Sequence, residues 1–262
     1  MRGTLVVPTL NEAASVGHVL TTFRQAVDAA NQTTFRNDPI DWQMVVVDGA
    51  STDGTAEVAQ AAGARVLVEH RPGYGQAYLT AFQDVTSDLV ATADGDATYP
   101  VEQVPALVAR LLEAPLDFVS GDRLSRLDRR AMTMEHRIGN RALNQFLAVA
   151  YHRVLADLPG GTLRDSQSGF WVFRRAVLER LRLTQTGMAF SEEIKLEAIF
   201  RGFRFEEIPI SYSERWGAPK LSSWRDGLRN LGFLFEKRLA MTREMRQAAA
   251  HPSGTKLSRP ER

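Results

Sequence analysis

Short β-rich runs at residues 4–8 (TLVVP), 44–48 (MVVVD), 65–69 (RVLVE) and 89–93 (LVATA) alternate with stretches of helical spacing at 13–30, 55–62, 75–85 and 101–113. Strands that alternate with helices imply right-handed crossovers and a mostly parallel sheet with helices on its faces. A fifth strand is expected at 116–120, and the polar stretch 31–41, which contains Pro39, reads as a surface loop. A chain of 262 residues is long enough to hold this pattern in one α/β domain with a sizeable core.

Past Gly121 the rhythm changes. A long helical stretch at about 130–155 precedes Pro159, Gly160 and Gly161, then a strand-like GFWVFR at 169–174 and a further helix. Residues 192–201 look helical, and 203–212 (FRFEEIPISY) alternate like a strand. The expected organisation is a body at 1–222, an amphipathic helix at 223–249 and a frayed tail at 250–262.

Composition removes several classes. The chain has no cysteine, which excludes a disulfide framework, a thiol nucleophile and a thiolate zinc site, and fits a reducing cytoplasm. No signal peptide is evident at the start, and no apolar run approaches the roughly 20 residues that span a bilayer. A net charge of +1 gives no footprint for nucleic acid. The charge is uneven, however: residues 224–262 hold nine Lys or Arg against four Asp or Glu, a local +5 that leaves −4 on the remainder.

Ligands of open parallel sheets collect outside the carboxyl ends of the strands. Three of those ends carry acids or amides here: Asn11 and Glu12 after the first run, Asp48 with Ser51, Thr52 and Asp53 after the second, and Asp94 with Asp96 after the fourth. One such cluster is explained by helix capping, but three at neighbouring strand ends are harder to dismiss. Asp94 and Asp96 flank a glycine, so both carboxylates can leave one turn toward a hard dication such as Mg²⁺ or Mn²⁺, bridging it to a diphosphate. The competing reading is a solvated turn.

PTLNE, VVVDGASTDGT and ADGDATYP, in this order and spacing, resemble the family 2 glycosyltransferases of GT-A fold. The later series GDR (121–123), RIGNR (137–141), DSQSGF (165–170), EIPI (207–210), Arg215 and GAPKL (217–221) is similar to the branch of dolichol-phosphate mannose synthases and polyprenyl-phosphate glycosyltransferases. The resemblance implies an α/β nucleotide-diphospho-sugar transferase fold with a mostly parallel sheet. It implies a metal-dependent, inverting hexosyltransferase using a GDP- or UDP-sugar. Pro8, Thr9, Asn11, Glu12 and Asp48 would hold base and ribose, Asp94 would sit near ribose and diphosphate, and Asp96 would be the main metal ligand with Thr98 as a weaker candidate. Relatives that carry two consecutive acids after the second strand differ from this chain, where Gly49 follows Asp48.

Arg123 and Arg137 match the branch's acceptor-phosphate arginines, and planar guanidinium groups suit phosphate bidentately. Arg141, where some relatives carry a small hydroxyl residue, adds a phosphate contact or marks a different acceptor. Arg215 and Lys220 lie on a Gly- and Pro-containing loop that suits a lid over the donor diphosphate. Asp165 is a base if the acceptor is a hydroxyl; for a lipid phosphate, already ionised, it orients the arginines or the sugar. Glu192 and Glu193 precede a helix, where acids are also stabilised with no catalytic role.

Trp224, Leu228, Leu231, Phe235 and Leu239 form an apolar stripe on the last helix, beside Arg225, Arg229, Lys237, Arg238 and Arg243. Such a stripe packs on its own domain or lies on a membrane surface. The leading expectation is therefore sugar transfer to a polyprenyl phosphate by a peripheral protein at the inner face of the membrane. The alternatives are a soluble family 2 enzyme acting on a hydroxyl of a small molecule or glycan, and a non-catalytic nucleotide-sugar-binding protein.

Overall fold

The structure, a computed structural model, describes residues 1–125, 134–216 and 223–250, with the side chains of 134–137, 223–229 and 248–250 outside the description. Its strands are β1 (Arg2–Thr9), β2 (Asp41–Asp48), β3 (Arg65–Val68), β4 (Leu89–Thr92), β5 (Phe118–Asp122), β6 (Trp171–Arg174) and β7 (Phe205–Pro209). The helices are α1 (Val16–Gln32), α2 (Thr55–Ala61), α3 (Tyr74–Asp84), α4 (Val104–Glu113), α5 (Met134–Ala150), α6 (Phe190–Phe200) and α7 (Ser223–Ala250).

The strands form one sheet in the order β3-β2-β1-β4-β6-β5-β7. β1 pairs in parallel with β2 and β4, β2 with β3, and β5 with β7. Only β6 runs antiparallel, between β4 and β5. The expected α/β architecture with a largely parallel sheet is what forms. Successive side chains of a strand point to opposite faces, and a sheet covered on both sides needs apolar residues at every position. β1 meets this demand: Leu5 and Val7 enter the core under α1, α2 and α4, while Val6 enters the core under α3, α5, α6 and α7.

Several boundaries moved. The long helix expected at 130–155 is described as α5 from Met134, and the helix expected after β6 is a single 3-10 turn at Arg175–Val177. β7 runs to Pro209, which lies opposite Asp122, and Ile210 N adds one more bond to the Asp122 carbonyl at 3.0 Å.

The last helix requires a correction. Phe233, Leu234 and Met241 are buried against the body and Leu231 of the expected stripe packs beside them, whereas Phe235 and Leu239 of that stripe are 60% and 58% exposed, Phe235 still touching the Phe146 ring at 5.2 Å. Polar partners set this rotation. Lys237 Nζ reaches Glu197 at 2.7 Å and Glu193 at 3.2 Å, and Tyr151 donates to the Leu234 carbonyl at 2.5 Å. Arg238 Nε donates to the carbonyl of Ala150, and Arg201 pairs with Glu244. Part of the basic excess read as membrane-facing is thus bound to the protein itself. The expected peripheral-membrane helix is replaced by one docked on its own domain. No described helix is long and apolar enough to cross a membrane. The side chains of Trp224 and Leu228, and residues 251–262 of the expected tail, lie outside the described residues.

Candidate donor and acceptor site

Because β6 is antiparallel, its amino end lies at the same sheet edge as the carboxyl ends of β1, β2, β4, β5 and β7. That edge collects Pro8, Thr9, Asn11, Glu12, Asp48, Asp94, Asp96, Thr98, Arg123 and Asp165, which the sequence spreads over more than 150 positions. Arg215 joins them from the segment after β7. The side chain of Arg137 and all of Lys220 lie outside the described residues, and Arg141 stands exposed on α5.

The loops after β1 and β2 are laced together. Asp48 accepts from Thr9 Oγ1 at 3.2 Å, from Ser51 N at 2.8 Å and from Ser51 Oγ at 2.5 Å. Asn11 Oδ1 accepts from Thr52 N at 2.9 Å, and Glu12 N donates to Thr55 Oγ1 at 2.7 Å. Each of the three strand-end loops holds one non-glycine residue in the left-handed region: Asn11 (φ 50°), Ala50 (φ 57°) and Ala97 (φ 62°). An alanine there costs on the order of 1 kcal/mol, so the surrounding bonds hold these turns in place. They aim side chains at the space above the sheet edge.

Asp94 and Asp96 leave the turn after β4 as expected. Tyr74, at the start of α3, donates to Asp94 Oδ1 at 2.9 Å. Burial, the charge of Asp96 and that of Glu12 push the Asp94 carboxyl up to about 7, against the Tyr74 hydrogen bond and Arg215. Asp96 is 1% exposed; Thr98 N and Oγ1 donate to its Oδ1 at 3.1 and 2.6 Å, and Arg215 holds its Oδ2. Three acids against one guanidinium leave a surplus of negative charge, and their oxygen donors fit a hard dication. No cluster of three or more metal-ligating side chains closes a cage among the described residues. Mg²⁺ and Mn²⁺ keep waters and take ligands from substrate phosphates.

Gly95 makes this packing possible: a Cβ there would stand 2.4 Å from Glu12 Oε2 and 2.6 Å from Thr9 Cγ2. Gly95→Ala must displace both neighbours, and a shift of that size lowers turnover by about 10²-fold. Steady-state kinetics at saturating metal check this; turnover within a factor of three of the parent removes Gly95 from the site's design.

On the acceptor side Asp165 is fully buried and clamps Arg123: Nε reaches Oδ2 at 2.7 Å, Nη2 reaches Oδ1 at 2.8 Å, and Arg123 N also donates to Oδ2 at 2.9 Å. Burial opposes ionisation of Asp165, yet Arg123 and Lys195 hold its carboxyl below the usual range. Asp165 thus fixes Arg123 with both of its oxygens. Lys195 Nζ donates to the carbonyls of Asp165 and Ser166 at 2.6 and 3.1 Å, and Glu207 accepts from the backbone N–H groups of Arg164 and Asp165. The Arg123 guanidinium also lies 5.2 Å from the Tyr212 ring centroid.

Glu192 and Glu193 separate cleanly. Glu193 is structural, accepting from Thr184 N and Oγ1, Gln185 N and Lys237. Glu192 is fully buried and accepts only Gln167 Nε2, at 2.5 Å, among the described residues. Sequence reading missed Tyr74, Lys195, Glu207 and Tyr212. Tyr74 could have been noticed between Gly73 and Gly75, where close backbone approach brings it to the sheet edge. A hollow of about 210 Å³ lined by Arg24, Asp28, Asn31 and Trp42 lies at the other end of β2, away from these groups.

Comparison with known proteins places these motifs. The model of "Glycosyl transferase family 2" matches residues 4–182. The low-salt glycan biosynthesis hexosyltransferase Agl6 of Haloferax volcanii is 33% identical over 232 residues, covering 88% of this chain and 52% of that protein. This chain thus spans about half the length of that relative. A dolichyl-phosphate hexose transferase of the same organism is 33% identical, with 85% and 88% covered. Among solved structures, glucosyl-3-phosphoglycerate synthase from Mycobacterium tuberculosis in complex with Mn²⁺, UDP-glucose and phosphoglyceric acid aligns with TM-score 0.66 at 20% identity, covering 90% of this chain and 79% of that one. Its Mn²⁺ agrees with the expected divalent-metal dependence.

The polyprenyl-phosphate acceptor, the branch-level likeness to dolichol-phosphate mannose synthase and the membrane partner are corrected at this point. The solved structure sharing the fold holds a small phosphorylated hydroxy acid beside the nucleotide sugar. The helix expected to meet lipid is docked on the domain through Lys237 and Leu234. The name of the dolichyl-phosphate enzyme describes that protein. With its GT-A type sheet, its strand-end acids and the family match over residues 4–182, the chain belongs to glycosyl transferase family 2.

Proposed function

We propose that this chain moves a hexosyl group from a UDP-sugar to a hydroxyl of a small anionic acceptor, with Mg²⁺ or Mn²⁺ at Asp96 and Asp94. The observation that carries the acceptor class is the clamped Arg123, whose guanidinium is fixed by Asp165 on one edge and by the Tyr212 ring on one face. A planar cation held this rigidly is a preformed receptor for a carboxylate or phosphate. The phosphoglyceric acid in the solved structure of this fold belongs to the same chemical class.

When bound, the metal supplies charge stabilisation to the leaving diphosphate. The bond from the sugar to the diphosphate breaks as the bond to the acceptor oxygen forms, and the hydroxyl proton leaves with the departing diphosphate; the chain's own residues bind and orient the two substrates. Asp48, Thr9 and Asn11 form the wall for base and ribose, and Tyr74 orients the Asp94 carboxylate. The floor at residues 164–169 is held from below by Lys195 and Glu207, so the acceptor meets a surface that does not rearrange.

A transfer assay over a panel of UDP- and GDP-sugars, with Mn²⁺ and with phosphorylated and neutral hydroxy acceptors, tests the reading. Product from a UDP-hexose and a phosphorylated hydroxy acid, lost in Arg123→Ala by about 10²-fold in kcat/KM, is expected. Transfer to a lipid phosphate with none to any hydroxyl would overturn it.

A further inference from the structure

The charge of Asp96 is met from far along the chain. Arg215 Nε and Nη2 both reach Asp96 Oδ2, at 2.7 and 2.5 Å, while Thr98 occupies Oδ1. The oxygen that no hydroxyl holds is the one the guanidinium takes. This contact is part of a docked segment. Ser213 N donates to the Thr98 carbonyl at 3.0 Å, and Trp216 N donates to the Asp96 carbonyl at 3.1 Å. The Trp216 indole stacks on His18 of α1, with centroids 4.9 Å apart and planes 17° apart. Trp216 is nonetheless 49% exposed, so its environment can change.

We propose that Arg215 is an internal cation seated on Asp96, which must be exchanged for the divalent metal as the donor binds, and that the exchange lifts residues 213–216 off the acid turn. The inference rests on Asp96 as the metal ligand in the reading above. Two cations repel at one carboxylate oxygen. A hard dication has the stronger claim on that oxygen, and a guanidinium fork matches a diphosphate. Metal alone must evict Arg215 without giving it a new partner. Metal together with a nucleoside diphosphate offers Arg215 the phosphates, so the two ligands bind with positive coupling. Residue 215 thus sets metal affinity as well as donor affinity.

Titration of the full chain with Mn²⁺, followed by the electron paramagnetic resonance signal of free Mn²⁺, tests the exchange with and without UDP. Arg215→Gln is expected to bind Mn²⁺ alone about tenfold more tightly than the parent, because a larger fraction is competent, and to lose most of the gain that UDP gives the parent. Arg215→Lys, which restores a cation, returns Mn²⁺ affinity toward the parent value. In the parent, Mg²⁺ with UDP shifts tryptophan emission, and Trp216→Phe removes that shift. Equal Mn²⁺ affinity in parent and Arg215→Gln overturns the exchange. An unchanged emission in the parent overturns the movement of 213–216. Absence of Mn²⁺ binding in every variant, even with UDP, overturns the metal reading itself and the exchange with it.

Discussion

Asp96→Asn folds as the parent does and loses transfer by about 10³-fold, the equivalent of roughly 4 kcal/mol of transition-state stabilisation. The substitution keeps the size of the side chain and an oxygen to accept from Thr98 N and Oγ1, so the turn survives. It removes the charge that holds Arg215, and with it the strongest oxygen for a dication. The Asp94 carboxyl, pushed up to about 7 by burial and by Asp96, is relieved of that second influence. Asn at 96 therefore leaves a well-formed site with too little negative charge to keep a metal. Thermal melting by circular dichroism and a transfer assay at several Mn²⁺ concentrations check this together. Activity within tenfold of the parent, or full activity in excess chelator, removes the metal from the mechanism.

The donor half of this site was legible because its determinants are local. Each of the runs 4–8, 44–48 and 89–93 ends directly in its functional loop, and parallel pairing through β1 then brings the three ends together with Thr9 opposite Asp48. The acceptor half depends on contacts across 29 to 89 positions. Asp165 reads in the sequence either as a base or as an acid that orients the arginines, and only the structure shows Arg123, 42 residues earlier, on both of its oxygens. Glu192 and Glu193 are adjacent and chemically alike. Only the packing of residues 182–185 and of Lys237 against α6 tells them apart. The last helix misled for a related reason. Its apolar residues can be grouped into more than one stripe, and the face that packs on the body joins Leu231, Phe233, Leu234 and Met241 to the Lys237 bridges with Glu193 and Glu197. Arg215 was placed at the donor from its loop, but its seat on Asp96 required the structure.

α6 carries four charged residues in a helix whose positions from Phe190 to Ala198 are all buried, and this makes stability depend on pH. Lys195 is offset by Asp165 and Glu207, and Glu193 and Glu197 by Lys237 and Arg201. Glu192 is the remaining acid. Burial pushes its carboxyl up to about 8, although the Gln167 hydrogen bond and the Lys195 charge pull the other way. The folded protein therefore keeps a proton on Glu192 across the range in which the unfolded chain has lost it. This contribution is fully present below the unfolded value near 4.5 and is lost as pH rises toward 8, at up to about 1.4 kcal/mol per pH unit. Glu192→Gln copies the protonated form in shape and keeps an oxygen for Gln167 Nε2, so it lacks this slope. Denaturant unfolding of both proteins at pH 5 and pH 8 should show near-equal stability at the lower pH and an advantage to the variant of about 3 kcal/mol at the higher one. Lys195, whose ammonium burial pushes down to about 8, begins to titrate at the upper end of this window in both proteins, so the quantity read is the difference between their profiles. Parallel stability profiles for the two would mean that Glu192 ionises freely in the fold. Its carboxyl would then have to be reached by water or by a partner that α6 does not supply.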